Sequence, residues 1–156
     1  MISPRWCRAR RRTTSPHSSG SMLHVVRAWA WLTAVLADCP PPGKFLLHAF
    51  AGPAEMVAPL AKLGAYFSIG PAGVVPNRER ACRALQAIPL ERLVIETDAP
   101  DFHPRDLAPR LRDTTGKPIN EPANLPHVLE GLTKILDMPV SELAEITTNN
   151  AKRLME

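Results

Sequence analysis

Three apolar runs of the sequence end in side chains that can bind a metal ion. The first run ends at His24, the second at His48, and the third continues into Glu96 and Asp98. Imidazole nitrogens and carboxylate oxygens are donors that Zn²⁺, Mn²⁺ and Mg²⁺ accept from proteins. In α/β proteins the C-terminal ends of the strands face the active site, so polar residues there are functional candidates.

Glu96 and Asp98 are predicted to lie on one face of their run, because side chains alternate along a strand. Two carboxylates on one face are costly to bury unless a cation or a hydrogen-bond network meets them. Each residue alone also has a simpler interpretation. A histidine after leucines is commonly a hydrogen-bonded core or loop residue, and Asp98 precedes Ala-Pro, where a turn residue is common. The remaining histidines receive no role: His17, His103 and His127.

Other recognisable chemistry is missing from the sequence. It contains no Walker loop and no GxGxxG, HExxH or GxSxG motif. The cysteines show neither a CxxC pair nor a Cys/His zinc spacing, which fits a reducing compartment, and we expect the cytoplasm. The glycines near residue 70 are too generic to indicate a phosphate-binding loop.

The elements that would position these residues alternate between apolar runs and helix-period stretches. Strands are predicted at 22–26, 44–50, 65–69 and 93–97, and helices at 27–38, 53–63, 78–88, 122–136 and 141–154, with a long loop at 99–120. Asn77 is a candidate helix cap, Pro59 should kink or shorten its helix, and Gly64 can close it. Strands bridged by helices pair in parallel. Four such units predict half of a (β/α)₈ barrel or an open α/β sheet.

Hydrophobic spacing also predicts which side chains of these helices face inward. They are Met56, Leu60, Leu63, Cys82, Leu85, Ile88, Val128, Leu132, Ile135, Leu143, Ile146 and Leu154.

The net charge of +4 belongs to the head of the chain. Six of the 19 basic residues and none of the acidic ones fall within residues 1–37, which leaves 13 basic against 15 acidic residues beyond. A general basic surface for nucleic acid is therefore not predicted. Residues 1–20, rich in Arg and Ser, are interpreted as a disordered head, an organelle-targeting segment or a gene-model artefact. No apolar run is long enough for a membrane span.

Five short motifs, in order along the chain, carry a family resemblance. They are His-Ala-Phe-Ala-Gly at 48–52, Ala-Tyr-Phe-Ser-Ile-Gly at 65–70, Glu-Thr-Asp-Ala-Pro at 96–100, Asn-Glu-Pro-Ala at 120–123 and Thr-Thr-Asn-Asn-Ala at 147–151. With His24, they resemble the TatD family of metal-dependent deoxyribonucleases from about residue 21 to residue 154. The resemblance implies an α/β fold, with residues 21–156 forming about strands 5 to 8 of a TIM-type (β/α)₈ barrel. It also implies two divalent metal ions (Mg, Mn or Zn) and phosphodiester hydrolysis with DNA as substrate.

The resemblance assigns a role to each matching residue. His24 and His48 match the two histidines that hold one metal ion, and Asp98 matches the aspartate that joins a His-x-His pair on the other. Asp98 would also orient the nucleophilic water. Glu96 and the pair Asn120 and Glu121 match positions near the site, where they would support the ligands or contact substrate.

Parts of the family pattern have no counterpart in the 156 residues. Neither the His-x-His pair nor the strand with the bridging glutamate is present. We therefore expect a truncated form with an incomplete two-metal site, reduced metal binding and doubtful hydrolysis. Half a barrel would also expose strand edges near His24 and near Asp98. We therefore expect aggregation, self-association as a dimer that completes a barrel, or pairing with a missing N-terminal piece.

Two further functions stay open at this point. One is a catalytically inactive homologue that acts, if at all, as an interaction module. The other is a different amidohydrolase-like barrel, since such barrels share histidine and aspartate ligands at strand ends. The motifs at 96–100 and 120–123 disfavour the latter.

Overall fold

The computed structural model describes residues 21–41, 43–75 and 78–156, and it contains a parallel four-stranded sheet flanked by helices. The strands are β1 (Ser21–His24), β2 (Phe45–His48), β3 (Ala65–Ile69) and β4 (Leu93–Ile95), in that spatial order. All three pairings are parallel, with His24 opposite His48, Leu47 opposite Phe67 and Ile69 opposite Ile95. The predicted α/β class and parallel pairing match this architecture. The predicted head at 1–20 and the predicted cap Asn77 lie outside the described residues.

Helices connect and cover the strands as the periodicity predicts. They are α1 (Trp29–Asp38), α2 (Val57–Lys62), α3 (Glu79–Ala87), α4 (Leu125–Leu136) and α5 (Val140–Met155), with 3-10 turns at Ala54–Met56, Leu90–Arg92 and Pro122–Asn124. The stretch predicted as one helix over 53–63 is divided into a 3-10 turn and the short α2. Pro59 then falls in the first turn of α2, where its missing N–H is not needed. Gly64, at φ 96°, follows the end of α2, a backbone conformation that glycine adopts without strain.

The core lies between the sheet and the helices. All five residues of β3 are buried, as expected for a central parallel strand covered on both faces. Among the positions predicted to face inward, the buried ones are Leu60, Leu85, Ile88, Val128, Leu132 and Leu143. The partly buried ones are Met56, Leu63, Cys82, Ile135, Ile146 and Leu154. None of the helices in the described residues is both long and apolar enough to cross a membrane.

The two outer strands of the sheet differ in how well they are covered. In β1 no residue is fully buried, and Met22 is 65% exposed. In β4, Leu93 and Val94 are buried, because α4 and α5 pack against this strand. The edge near His24 is thus the more exposed of the two.

The segment predicted as a long loop contains a small antiparallel hairpin. It is formed by β5 (Leu111–Arg112) and β6 (Pro118–Ile119). Asp113 closes its turn, accepting hydrogen bonds through Oδ1 from Thr115 N and Oγ1 and from Lys117 N at 2.7–2.9 Å. These bonds, first that of the Thr115 hydroxyl, lower the pKa of the Asp113 carboxyl. Strands of two residues each are too short to show a hydrophobic period, so the sequence could not predict the hairpin.

A buried amide of α5 hydrogen-bonds to the backbone at the start of β4 and to the 3-10 turn before it. Asn150 is 1% exposed, and its Nδ2 donates to Leu90 O at 2.6 Å and to Leu93 O at 2.8 Å. Both carbonyls lie where the chain enters β4. Asn150 belongs to the motif at 147–151, so the structure gives that motif a structural role.

We predict that Asn150→Ala lowers the free energy of unfolding by about 2 kcal/mol, because buried carbonyls lose their donor. Denaturant unfolding followed by circular dichroism measures the change. Asn149→Ala is the matched control, since its half-buried side chain makes no hydrogen bond in the described residues, and it should change stability by less than about 0.5 kcal/mol. Equal effects of the two substitutions would contradict the proposed role of Asn150.

Candidate metal centre

A cluster of one imidazole and two carboxylates lies at the C-terminal edge of the sheet. His48 is the last residue of β2, and Glu96 and Asp98 follow β4. Each offers a ligand atom, and these atoms all lie within 4.8 Å of one another. The three side chains are 16–22% exposed. The two carboxylates predicted to share a face thus meet at the same histidine.

Glu96 is fixed by three hydrogen bonds. Its Oε2 lies 2.8 Å from His48 Nδ1 and accepts a bond from Ser68 Oγ, and its Oε1 accepts a bond of 2.9 Å from Ala49 N. Ser68 lies in β3, between the strands that carry His48 and Glu96, and is 1% exposed. The backbone N–H of Glu96 donates to Ile69 O, which extends the β3–β4 pairing beyond Ile95. Glu96 is therefore an anchor that joins three neighbouring strands.

His48 faces a carboxylate through each of its ring nitrogens. Nδ1 faces Glu96, and Nε2 lies 3.1 Å from Asp98 Oδ1. A neutral imidazole has a single N–H donor. If Nδ1 donates to Glu96, Nε2 presents a lone pair to the carboxylate oxygen of Asp98. A second proton or a cation between Nε2 and Oδ1 would remove this repulsion, so the donor set fits a divalent metal ion.

The backbone around the cluster adopts the left-handed conformation at two non-glycine residues, Ala49 at φ 46° and Asp98 at φ 55°. This region is uncommon for residues with a side chain, and such outliers cluster at functional sites. At Ala49 the turn directs the N–H at Glu96. At Asp98 the turn follows β4, so strand alternation alone does not explain how this carboxylate reaches His48.

His24 lies beside the cluster but does not belong to it. Because β1 and β2 are paired in register at this point, the rings of His24 and His48 contact each other edge to face, with centroids 5.2 Å apart. His24 is exposed. The structure thus brings the two predicted histidines together, while the group of three ligand residues contains only His48.

Asn120 organises the loop that follows the site. It is 2% exposed, and its Nδ2 donates to Thr97 O and to Phe102 O, while its Oδ1 accepts bonds from Glu121 N and Asn124 Nδ2. These contacts connect the residues around Asp98 to the start of α4. Glu121 lies next to it, and its Oε2 is buried without a hydrogen-bond partner in the described part of the chain.

Sequence reasoning missed two groups that build the site, Ser68 and Gly70. A serine within the otherwise apolar β3 was the available signal for the first. For Gly70, a built Cβ would lie 3.3 Å from Glu96 Cγ and 3.5 Å from Asp98 Oδ2. A side chain at this position would press on Glu96 Cγ and touch Asp98 Oδ2 at ordinary van der Waals distance, so the glycine leaves room beside both carboxylates.

Comparison with known proteins identifies relatives of this chain. Residues 17–156 match the family model described as TatD related DNase. An uncharacterized metal-dependent hydrolase of Bacillus subtilis, YabD, is 35% identical over 109 residues, which cover 70% of this chain and 40% of YabD. A 3'-5' ssDNA/RNA exonuclease TatD of Salmonella typhimurium is 39% identical over 114 residues, covering 71% of this chain and 42% of that protein. The matched region is thus less than half the length of either relative.

Solved structures agree on the fold. The Escherichia coli TatD homologue YJJV superposes with a TM-score of 0.69 at 27% identity, over 86% of this chain and 49% of that one. An uncharacterized amidohydrolase from Saccharomyces cerevisiae superposes with a TM-score of 0.75 at 16% identity, over 95% of this chain and 57% of that one. The predicted fold class is confirmed as the α/β architecture of these hydrolases. On the family match over residues 17–156, the chain belongs to the TatD-related DNase family of metal-dependent hydrolases.

Proposed function

We propose that this chain carries part of a metal-dependent hydrolase site that cleaves phosphodiester bonds of single-stranded nucleic acid, with DNA as the first substrate to test. The observation that carries the proposal is the position of the His48 imidazole between Glu96 and Asp98. Relatives named as 3'-5' ssDNA/RNA exonucleases support the choice of substrate. Family membership alone supports a hydrolase.

In this proposal the three residues have distinct tasks. His48 Nε2 and Asp98 Oδ1 are metal ligands, because they face each other at 3.1 Å with no other group between them. His24, in contact with the His48 ring, is a further ligand that must turn toward the same ion. A divalent Mg, Mn or Zn ion held there would supply an activated water and stabilise charge on phosphoryl oxygens.

Glu96 is proposed as a positioning residue. Its Oε2 holds Nδ1 of His48 and thereby sets the tautomer that leaves Nε2 as an electron-pair donor. Ala49 N and Ser68 Oγ hold Glu96 in turn, so its own orientation is fixed. A carboxylate engaged in three hydrogen bonds has little capacity left for direct metal binding.

Asp98 is proposed to act through both of its oxygens. Oδ1 faces His48, whereas Oδ2 lies toward the open space beside Gly70. A water molecule that enters this space can therefore be oriented toward a phosphate by Oδ2, which can also accept its proton. Asn120 and Glu121 are proposed to support this geometry by holding the loop after Asp98.

One metal centre with few protein ligands should bind its ion weakly. In the described residues, His48, Glu96 and Asp98 form the one group of three metal-competent side chains, and catalytic zinc sites usually have three protein ligands. We propose reduced affinity and slow turnover for this chain. The second metal ion would need ligands beyond those named here.

An alternative proposal is an interaction module that uses the exposed edge of the sheet. Met22 of β1 is 65% exposed, and Val26, two residues after the end of β1, is 72% exposed. An exposed apolar edge strand can form backbone hydrogen bonds with a strand of another chain. A folded chain that self-associates but binds neither metal nor DNA would favour this alternative.

We predict that His48→Ala abolishes both manganese binding in calorimetry and manganese-dependent cleavage of a labelled single-stranded DNA. The physical reason is the loss of the nitrogen donor that faces Asp98. His127→Ala is the matched control, because His127 pairs with Asp106 outside the cluster, and it should behave as the unmodified chain. Cleavage that survives His48→Ala would contradict the proposed centre.

We predict that Glu96→Gln lowers manganese affinity by about 10- to 100-fold without unfolding the chain, because a carboxamide cannot accept all three hydrogen bonds. The nitrogen chemical shifts of the His48 ring should also change, since its tautomer is no longer fixed. The control is Glu91→Gln, an exposed residue of a 3-10 turn. Unchanged affinity together with unchanged ring shifts would overturn the positioning role.

A further inference from the structure

A cavity of about 520 Å³ opens directly beside the metal-competent cluster. Asp98 lines it, together with Ala49, whose N–H bonds to Glu96. The opposite wall is the first turns of α3. The volume lies within the range of 300–1,000 Å³ that small-molecule pockets occupy. A group bound in this cavity would therefore lie next to the carboxylate that the proposed function places at the reacting phosphate.

The cavity has an apolar floor. Phe50 and Leu85 line it and are buried, and the Phe50 ring is fixed by edge-to-face contacts with Trp29 and Phe67. The walls are built largely from small residues, among them Gly70. Gly70 and Asp98 both line the cavity, and Gly70 has no side chain that could separate the cavity from the carboxylate. A flat apolar group fits this surface.

The charges on the rim favour an anion. Arg78 and Arg80 line the cavity, are exposed and form no ion pair within the described residues. Glu79 and Asp98 are the acidic residues of the lining. Asp98 lies on the opposite wall, where its Oδ1 faces His48, so Glu79 is the lining carboxylate that lies beside the arginines. Guanidinium groups bind phosphate oxygens in bidentate geometry.

A second cavity of about 570 Å³ lies between α3 and α4 and carries a different lining. It contains none of His48, Glu96 and Asp98, and its basic residues Arg105 and Lys134 are opposed by Asp106 and Glu130. It is not placed to hold a phosphate that reacts at the cluster.

We propose that the cavity beside Asp98 is a nucleotide subsite for single-stranded nucleic acid. The base and sugar next to the scissile bond lie on the floor formed by Phe50 and Leu85, and Arg78 and Arg80 pair with the adjoining phosphate. Apolar surfaces that receive bases, combined with basic groups along the backbone, are the usual means of binding single strands. This inference rests on the proposed function, because it assigns the substrate of that site.

The test is fluorescence anisotropy of a labelled single-stranded oligonucleotide in EDTA, where the metal centre cannot contribute. The double variant Arg78→Ala/Arg80→Ala should weaken binding at least about tenfold and reduce the salt slope by about 0.7, the value for one phosphate contact on a single strand. Arg83→Ala is the matched control, since Arg83 is an exposed residue of α3 that does not line the cavity. It should change affinity less than about twofold.

A steric variant tests the floor separately from the charges. Ala81 is half-buried in α3 and lines the cavity, and Ala81→Leu fills the space with a good helix former. With its helical circular dichroism unchanged, this variant should bind the oligonucleotide at least about tenfold more weakly. It should keep the affinity of the unmodified chain for inorganic phosphate.

The same measurements separate this inference from the proposed function. His48→Ala should lose manganese but keep oligonucleotide binding in EDTA, whereas the arginine variant should keep manganese and lose the oligonucleotide. No oligonucleotide binding by the unmodified chain, or equal losses from the Arg83 control and the arginine variant, would overturn the subsite. An unmodified chain that binds the oligonucleotide but no manganese would refute the metal centre and leave the subsite standing.

Discussion

The site depends on the parallel register of β2, β3 and β4. Because these strands run in the same direction, His48 and Glu96 emerge at one edge of the sheet even though β3 separates their strands. Ser68, in the strand between them, donates a hydrogen bond from its hydroxyl to the Glu96 carboxylate. A shift of one residue in either pairing would turn these side chains to the opposite face and remove the cluster.

The ionisable side chains at this edge of the sheet distinguish it from the apolar core. Two carboxylates and an imidazole are held within 4.8 Å of one another at less than a quarter exposure. Glu96 is satisfied by hydrogen bonds from three donors, whereas Asp98 faces His48 and the space beside Gly70. The two carboxylates therefore differ in role. Glu96 fixes the orientation of His48, whereas Asp98 remains available to a cation, a water molecule or a substrate.

The sequence predicted the sheet well because hydrophobic runs and helical spacing are local signals. β3 has the predicted bounds, and β2 and α1 fall inside theirs. The positions of His48, Glu96 and Asp98 after the ends of their strands predicted that all three lie at one edge of the sheet. The family resemblance assigned His48 and Asp98 to different metal ions, so their direct contact was not predicted. The left-handed turns at Ala49 and Asp98, the Ser68 anchor and the open space at Gly70 could not be predicted, because they depend on contacts between strands. The short hairpin left no periodic signal at all.

The most direct test is a crystal structure of the chain soaked with Mn²⁺, with data collected at a wavelength where manganese scatters anomalously. We expect one anomalous peak at the His48–Asp98 pair, while Glu96 keeps its hydrogen bond to His48 Nδ1. No peak at this position, with the His48 and Asp98 side chains still in direct hydrogen-bond contact, would contradict the central claim that this pair is built to hold a metal ion.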